Sequence, residues 1–184
     1  SGEYIVEEGA TLHIEEGVKI IAVYDDIADY ILVKQGGKIN AVGTPDKPIV
    51  MTSEKEEPGA WGGIHICGRA HTNAEGGKGS SEIGGAVYGG NDDADNSGTL
   101  QYIRLEYTGF AFDEEHEANG ISFYGVGNGT IVDHCQAYKG SDDGFEFFGG
   151  SVNVSNLVAV SCSDDSFDWT EGWNGKGTNL VAYQ

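Results

Sequence analysis

The stretch SDDGFEF at residues 141–147 recurs as SDDSFDW at residues 163–169, 22 residues further along the chain. Each copy combines a polar corner with a short β-run, and a repeat of this length is typical of one coil of a parallel β-solenoid. Equivalent residues of successive coils then lie directly above one another, about 4.8 Å apart. The repeat therefore predicts an acidic ladder with three rungs: Asp142 with Asp164, Asp143 with Asp165, and Glu146 with Asp168.

Short β-runs that end at glycine corners continue through the rest of the chain, and helical periodicity is close to absent. GATLHI at 9–14 and GGKINA at 36–41 look like the same corner and strand, one longer coil apart. GTLQYIRLEYTG at 98–109 aligns with GTIVDHCQAYKG at 129–140, which places Leu100 beside Ile131. We predict an all-β fold, a right-handed parallel β-helix that forms a single domain over residues 1–184, either complete or a fragment of a longer helix.

Residues 53–98 depart from this pattern. After Cys67 the chain runs through about 30 polar and glycine-rich residues with little apolar content, which is longer than an ordinary connection. We predict a long loop excursion around residues 53–98, serving either as a functional element or as a loop that lies on the surface.

The composition restricts the possible partners. The formal net charge is −20, from 30 acidic and 10 basic residues. Nucleic-acid binding is excluded because a phosphate backbone needs clustered lysine and arginine, and anionic membranes are disfavoured for the same reason. No segment approaches the roughly 20 apolar residues of a membrane span. Cations and neutral polymers are the partners that this charge favours.

The cysteines carry no metal or redox motif. There are three of them and no CxxC pair. Cys135 and Cys162 are either buried thiols on adjacent coils or a disulfide.

The acidic ladder predicts a Ca²⁺ site. Carboxylates one strand spacing apart repel by roughly 3–4 kcal/mol per pair at an effective dielectric constant near 20. Either the side chains turn into water as a solvated acidic edge, or a cation lies among them, and Ca²⁺ takes six to eight hard oxygen ligands at about 2.4 Å. The candidate ligands are Asp142, Asp143, Glu146, Asp164, Asp165 and Asp168.

A second candidate calcium loop precedes the first long β-run. From Asp93 the sequence reads Asp-x-Asp-x-Ser-Gly, with Asp95 at the third position, as in the opening of an EF-hand loop. The twelfth position is Arg104, where an EF-hand needs glutamate, so a true EF-hand is excluded. A partial Ca²⁺ loop using Asp93 and Asp95 and a plain Asx-rich turn both remain open.

Catalytic signatures are few. Nucleophile-elbow, zincin, P-loop and dinucleotide motifs are absent from the sequence. Lys176 follows the acidic ladder by less than one coil and is the candidate proton-abstracting base, because a nearby cation lowers a lysine pKa. The alternative is a solvated loop lysine. The column Phe123, Phe147 and Trp169 beside the ladder is interpreted as aromatic stacking in the core.

Several motifs together carry a family resemblance: WGGI at 61–64, YGGNDDADNSG at 88–98, Asn119-Gly120, SDDGFEFFGG at 141–150 and DDSFD at 164–168. In their order and spacing, the chain resembles a family of secreted bacterial right-handed parallel β-helix proteins. Members of that family are often surface lipoproteins or secretion substrates without assigned activity. The resemblance covers nearly the whole chain and implies an extracellular or bacterial outer-surface location.

A more local resemblance is to the β-helical pectate lyases of polysaccharide lyase family nine. Those enzymes hold Ca²⁺ with an Asp-Asp-x-x-Asp cluster and an aspartate from the preceding coil, and they use a lysine as base. Asp164, Asp165 and Asp168 match the cluster, and Asp142 or Asp143 matches the additional ligand. The lysine of the lyases lies further along the helix than Lys176.

Three functions follow from these observations. The first is a non-catalytic extracellular β-helix, stabilised by Ca²⁺, for surface display, adhesion or contact with a polysaccharide or cell-surface glycan. The second is a Ca²⁺-dependent polysaccharide lyase of the pectate type. The third is a structural subunit that associates end to end, since the strand-like run at 180–184 has no obvious cap.

Overall fold

A computed structural model describes residues 1–25, 27–113 and 116–184 of the chain. These residues form short strands and one 3-10 helix, Glu75–Gly77. The strands of the first half are β1 (Glu3–Val6), β2 (Thr11–Ile14), β3 (Lys19–Ala22), β4 (Tyr30–Val33), β5 (Lys38–Val42), β6 (Ile49–Ser53), β7 (Ile64–Cys67), β8 (Gly79–Ser80) and β9 (Val87–Tyr88). Those of the second half are β10 (Gly98–Glu106), β11 (Ile121–Tyr124), β12 (Ile131–Tyr138), β13 (Phe145–Phe148), β14 (Asn153–Ser155), β15 (Val158–Val160), β16 (Phe167–Thr170), β17 (Gly177–Thr178) and β18 (Val181–Tyr183).

The strands form two parallel sheets, which confirms the prediction of an all-β parallel fold. The front sheet has six strands in the order β1-β4-β7-β11-β13-β16. The back sheet has ten strands, along the path β2-β5-β10-β12-β14-β17, with β3, β6, β15 and β18 paired beside that path. β8 and β9 form a separate antiparallel pair.

The back sheet bends along a column of residues whose backbone has a left-handed conformation, with positive φ angles. Tyr102 and His134 interrupt β10 and β12 with φ angles of 50° and 51°, and Asn156 and Asn179 continue the column at 55° each. β10 pairs with β5 before Tyr102 and with β6 after it. The amide of Asn179 donates to Asn156 Oδ1 at 3.0 Å, and the rings of Tyr102 and His134 stack with centroids 4.6 Å apart. The back sheet therefore consists of two halves that meet at this bend.

Strand pairing confirms two of the predicted repeats and corrects a third. Phe145 pairs with Phe167, and Thr11 with Lys38, as the repeats at 141–169 and 9–41 predict. The predicted alignment of Leu100 with Ile131 is wrong by one residue, since Leu100 pairs with Val132. A one-residue shift exchanges the two faces of a strand. Val132 is accordingly buried, whereas Ile131 is 51% exposed.

The core is an apolar interior that runs from Val6 to Cys162. Within it, the rings of Phe123 and Phe147 stack with centroids 5.0 Å apart, as predicted. Trp169 pairs in register with Phe147 but is 61% exposed. The ring that continues the stack on Phe147 is instead that of Trp173, at 4.5 Å. The predicted aromatic column is therefore corrected at its third position.

The loop excursion is shorter than predicted. β7 lies within residues 53–98 but is a central strand of the front sheet, between β4 and β11. The excursion proper occupies residues 68–97 and packs against the outer face of that sheet. A second apolar cluster joins the two: Tyr30, Leu32, Cys67, Ile83, Ala86, Tyr88, Ala118, Tyr124 and Phe148. The front sheet thus buries apolar side chains on both of its faces.

The structure decides between the two alternatives for the cysteines. Cys67, Cys135 and Cys162 are all buried and unpaired, so the thiol alternative is confirmed. Burial raises the pKa of the Cys135 thiol to about 12. Among the residues that the structure describes, no helix is long and apolar enough to cross a membrane.

The excursion is fastened to the turn that follows β16. Thr72 Oγ1 and the Tyr88 hydroxyl both donate to the Glu171 carboxylate, at 2.5 and 3.0 Å. The ring nitrogens of His71 lie 2.8 Å from Asp93 Oδ1 and 2.9 Å from the carbonyl oxygen of Gly172. Both partners are acceptors, so both contacts are hydrogen bonds only when the imidazole is doubly protonated. The Gly172 carbonyl and then Asp93 raise the pKa of His71.

We predict that His71→Gln destabilises the protein more at acidic than at alkaline pH. A raised folded-state pKa gives stability that is fully present below the unfolded pKa of about 6.5 and is lost as pH rises through the folded pKa. We expect a loss of about 1 kcal/mol near pH 5.5, the scale of a partly exposed charge-assisted hydrogen bond. Urea unfolding near pH 5.5 and near pH 8.5 measures it. His13→Gln on β2 is the control, and an equal loss at both pH values would contradict the prediction.

Candidate functional site

The outer face of the front sheet carries a column of side chains that becomes increasingly acidic. Strand pairing aligns Leu32 with His65, His65 with Ser122, Ser122 with Glu146, and Glu146 with Asp168. Alternation along each strand sends these residues outward while their neighbours enter the core. The predicted rung of Glu146 with Asp168 is therefore present in the structure.

The Asp-Asp corners that precede β13 and β16 are held tightly together. Asp165 N donates to Asp143 Oδ1 at 2.8 Å, and Gly144 N donates to the carbonyl oxygen of Asp165 at 2.9 Å. A Cβ atom on Gly144 would lie only 2.8 Å from the carbonyl oxygen of Ser166. Glycine thus allows the close approach of the coils that stacks the two corners.

These corners and the acidic column line one open cleft, the acidic cleft, of about 260 Å³. Its lining residues are Glu82, Glu117, Asp142, Asp143, Glu146, Asp164, Asp165 and Asp168. No lysine or arginine of the described residues belongs to this lining. All six residues of the predicted ladder are brought together here.

Sequence reasoning missed two members of the cleft. Glu82 comes from the excursion, and its carboxylate lies 3.5 Å from the hydroxyl of Tyr124 on β11. Glu117 comes from the segment before β11. Neither residue belongs to a repeat, so the sequence contains no signal that places them beside the ladder.

The carboxylates form two groups of metal-ligand size. Asp142, Asp143 and Asp164 form the corner group, and Asp143, Glu146 and Asp168 form the strand group. In each group the ligand oxygens lie within 4.8 Å of one another. Asp165 lines the cleft but belongs to neither group.

Burial and mutual repulsion hold several of these carboxyl groups towards their neutral forms. Burial raises the pKa of Asp142 to about 6, with added repulsion from Glu117 and Asp164. Burial raises the pKa of Asp143 to about 7 and that of Glu146 to about 9, where Glu82 adds repulsion. Carboxylates arranged in this way destabilise the fold unless a proton or a cation neutralises their charge.

The amide of Asn119 lies against the strand group. Asn119 is 1% exposed, and its Nδ2 donates to Glu146 Oε2 and, at 3.0 Å, to Ser122 Oγ. Its Oδ1 is buried and has no hydrogen-bond partner among the residues that the structure describes. An unsatisfied buried acceptor costs about 1–3 kcal/mol. The hard oxygens of the carboxylates fit Ca²⁺.

The structure places Lys176 away from the acidic cleft. Its backbone N donates to Asn153 Oδ1 at 3.0 Å, and its carbonyl oxygen accepts from Val154 N at 2.8 Å. These contacts hold Lys176 at the back sheet, whereas the cleft lies on the outer face of the front sheet. The structure therefore does not bring the candidate base to the candidate metal ligands.

Asp93 and Asp95 also lie outside the acidic cleft. Asp93 Oδ1 accepts hydrogen bonds from His71 N and from the His71 ring, and Asp95 Oδ2 accepts one from Arg69 N at 2.8 Å. Both carboxylates thus cap the backbone of the excursion near its start. Neither belongs to the three-carboxylate groups found among the described residues.

Comparison with known proteins supports the fold. Searches of curated proteins and of solved structures gave no match. A family model described as "Pectate-lyase like beta helix domain" matches residues 1–184. The chain therefore belongs to the pectate-lyase-like β-helix family.

Proposed function

We propose that this protein is an extracellular, non-catalytic β-helix module that Ca²⁺ stabilises through the acidic cleft, and that it serves surface display, adhesion or glycan contact. The observation that carries the proposal is the acidic cleft itself. Eight carboxyl side chains line it, and two groups of three have their oxygens within 4.8 Å of one another.

We infer that the coils of this module wind in the right-handed sense. Parallel strands of one sheet are joined by right-handed crossovers in about 98% of known connections. The parallel pairing of every strand in the two sheets and the family membership are consistent with this arrangement. Residues 1–184 would then form one solenoid domain.

A pectate-type lyase is the second candidate, favoured by the family to which the chain belongs. The charge of the cleft and the position of Lys176 weigh against it. A uronate polymer is itself anionic, and the cleft offers it no lysine or arginine among the described lining residues. A base is also needed to remove the proton of the sugar ring, and Lys176 lies at the back sheet.

End-to-end self-association is a third candidate. Large apolar side chains are exposed on the last described coil, with Trp169 at 61% and Tyr183 at 68%. On the first coil Tyr4 is 56% exposed. Such surfaces and the adjoining strand edges favour stacking on another coil.

Calcium should stabilise the chelator-stripped protein. At a concentration 100 times the Kd, a ligand of the folded state adds about 2.7 kcal/mol, which corresponds to a rise in Tm of about 5–10 °C for a chain of this size. We expect Asp143→Asn to lose most of the rise, because Asp143 belongs to both carboxylate groups. Calorimetric scans with Ca²⁺ and with chelator measure it. Asp46→Asn, an exposed position remote from the cleft, is the control, and an unchanged Tm in wild type would contradict the proposal.

In chelator, stability should fall as pH rises. The unfolded pKa values of aspartate and glutamate are about 4, and those of Asp142, Asp143 and Glu146 in the fold are about 6, 7 and 9. A raised carboxyl pKa gives stability that is present below about pH 4 and is lost as pH rises through the folded values. Tm measured across this range should decrease in chelator and stay nearly level with Ca²⁺. Glu146→Gln should flatten the chelator curve, and a flat wild-type curve would refute this prediction.

No unsaturated product should form when the protein is incubated with pectate and Ca²⁺. Elimination requires a base beside the ring proton, and Lys176 is not among the residues that line the acidic cleft. Absorbance of the unsaturated product in the ultraviolet measures the reaction. Product that forms with wild type and is lost in Asp143→Asn would replace the non-catalytic proposal with the lyase.

A further inference from the structure

A second open cleft, of about 420 Å³, lies where β1 and β4 meet the segment that follows β10. It is lined by Glu3, Ile27, Tyr30, Phe110 and Phe112, with two alanines between them. We call it the aromatic cleft, because three of its side chains are aromatic. Glu3 carries the one charge among the described residues of this lining. The aromatic cleft shares no residue with the acidic cleft, so its ligand does not depend on Ca²⁺.

The aromatic cleft is built by an insertion in the repeat. Glu106 pairs with Tyr138, and Ile121 pairs with Phe145. Fourteen residues separate Glu106 from Ile121, whereas six separate Tyr138 from Phe145 on the next coil. The next coil therefore makes the same connection between the two sheets with eight residues fewer. Both phenylalanines of the cleft lie in the longer connection, and a connection that exceeds what the fold needs is a common place for a binding site.

Backbone hydrogen bonds hold the two phenylalanines in place. Phe110 N donates to the carbonyl oxygen of Trp61 at 3.2 Å, and the carbonyl oxygen of Phe110 accepts from Ala118 N at 3.1 Å. Phe112 N donates to the carbonyl oxygen of His116 at 2.9 Å. The two rings are thus positioned before a ligand arrives, which reduces the conformational entropy lost on binding.

The three rings of the aromatic cleft meet at nearly right angles. The ring centroid of Phe112 lies 5.8 Å from that of Tyr30 and 5.0 Å from that of Phe110, with interplanar angles of 76° and 74°. Tyr30 is buried and Phe112 is 41% exposed, so one ring lies deep and the other is open to solvent. Aromatic faces carry negative potential and attract cations. Rings that face different directions suit a tetrahedral ammonium group, whereas a flat sugar ring stacks on a single face.

The carboxylate of Glu3 adds a full negative charge to the aromatic cleft. Glu3 pairs with Tyr30 on the neighbouring coil, and its side chain accepts a hydrogen bond from the Tyr30 hydroxyl. Burial and then this hydrogen bond raise the pKa of Tyr30 well above its usual range, so the hydroxyl keeps its proton and donates. The bond orients the carboxylate and leaves its charge to the ligand. Among the lining residues that the structure describes, no lysine or arginine competes for that charge.

We propose that the aromatic cleft binds a small quaternary ammonium cation of the choline class. Its methyl groups would lie against the rings of Tyr30, Phe110 and Phe112, and the carboxylate of Glu3 would lie beside its charge. A quaternary ammonium has no N–H group, so it enters an apolar cleft without leaving a donor unpaired. A primary ammonium has three donors and would need more acceptors than one carboxylate supplies.

Titration with choline in chelator and about 0.15 M NaCl, followed by calorimetry, tests the proposal. We expect saturable binding to wild type. The neutral isostere, in which a tert-butyl group replaces the trimethylammonium group, should bind about fivefold more weakly or worse, because it lacks the cation–π attraction. Phe112→Leu and Glu3→Gln should each weaken choline binding to a similar extent. Phe112→Trp should retain it, since tryptophan is the strongest cation–π partner. Tyr183→Leu, an exposed aromatic position outside the cleft, is the control.

The other possible results would overturn the proposal. Equal affinity for choline and its neutral isostere would mean that the cleft recognises apolar shape and not a cation. Absence of saturable binding to wild type would remove the site. Asp143→Asn alters the acidic cleft alone and should bind choline as wild type does, so a loss there would place the cation in the acidic cleft. A melting scan identifies any variant that fails to fold, and Phe110→Leu supplies the same test if Phe112→Leu does not fold.

Discussion

Parallel pairing places each residue of a coil on its equivalent in the next, about 4.8 Å away. For apolar residues this is favourable, as in the stack of Phe145 on Phe167 with ring centroids 5.5 Å apart. The same register stacks Glu146 on Asp168, where like charges repel. The chain cannot relieve this repulsion by a one-residue shift, because the shift would turn the core side of the strand outward. Burial of the apolar face therefore fixes the register that stacks the carboxylates. Binding of a proton or a cation is needed to reduce the repulsion between them.

The excursion, which lies outside the repeat, determines how strongly the stacked carboxylates repel one another. Stacked carboxylates on an open sheet face would be well solvated and would repel weakly. Here the excursion covers part of the same face, packing Ile83 and Tyr88 near the rings of Tyr124 and Phe148. It also brings Glu82 to the edge of the cleft, where burial and then Asp142 raise the pKa of its own carboxyl group. The electrostatic character of the cleft thus depends on a segment outside the repeat.

The repeat predicted the ladder because each coil carries both an acidic corner and an aromatic strand, and the two signals agree on one register. The alignment of Leu100 with Ile131 failed because it relied on a shared Gly-Thr pair, while the burial of Val132 decides the pairing. Glu82 and Glu117 were beyond prediction, since their contacts with the ladder are long-range and follow no period. The hydrogen bond from Asn119 Nδ2 to Glu146 Oε2 is likewise visible only in the three-dimensional arrangement.

Charge also determines which partners suit this member of a pectate-lyase-like family. Eight acidic side chains line the cleft, which gives it a formal charge of −8 when all of them are ionised. An anionic polysaccharide would enter that field only against repulsion, whereas a neutral glycan or a cationic surface would not. Function resides in the residues placed on a fold and not in the fold itself. In this chain those residues place an acidic cleft on the front sheet and the backbone of Lys176 at the back sheet, so the candidate ligands of a cation and the candidate base lie on different sheets.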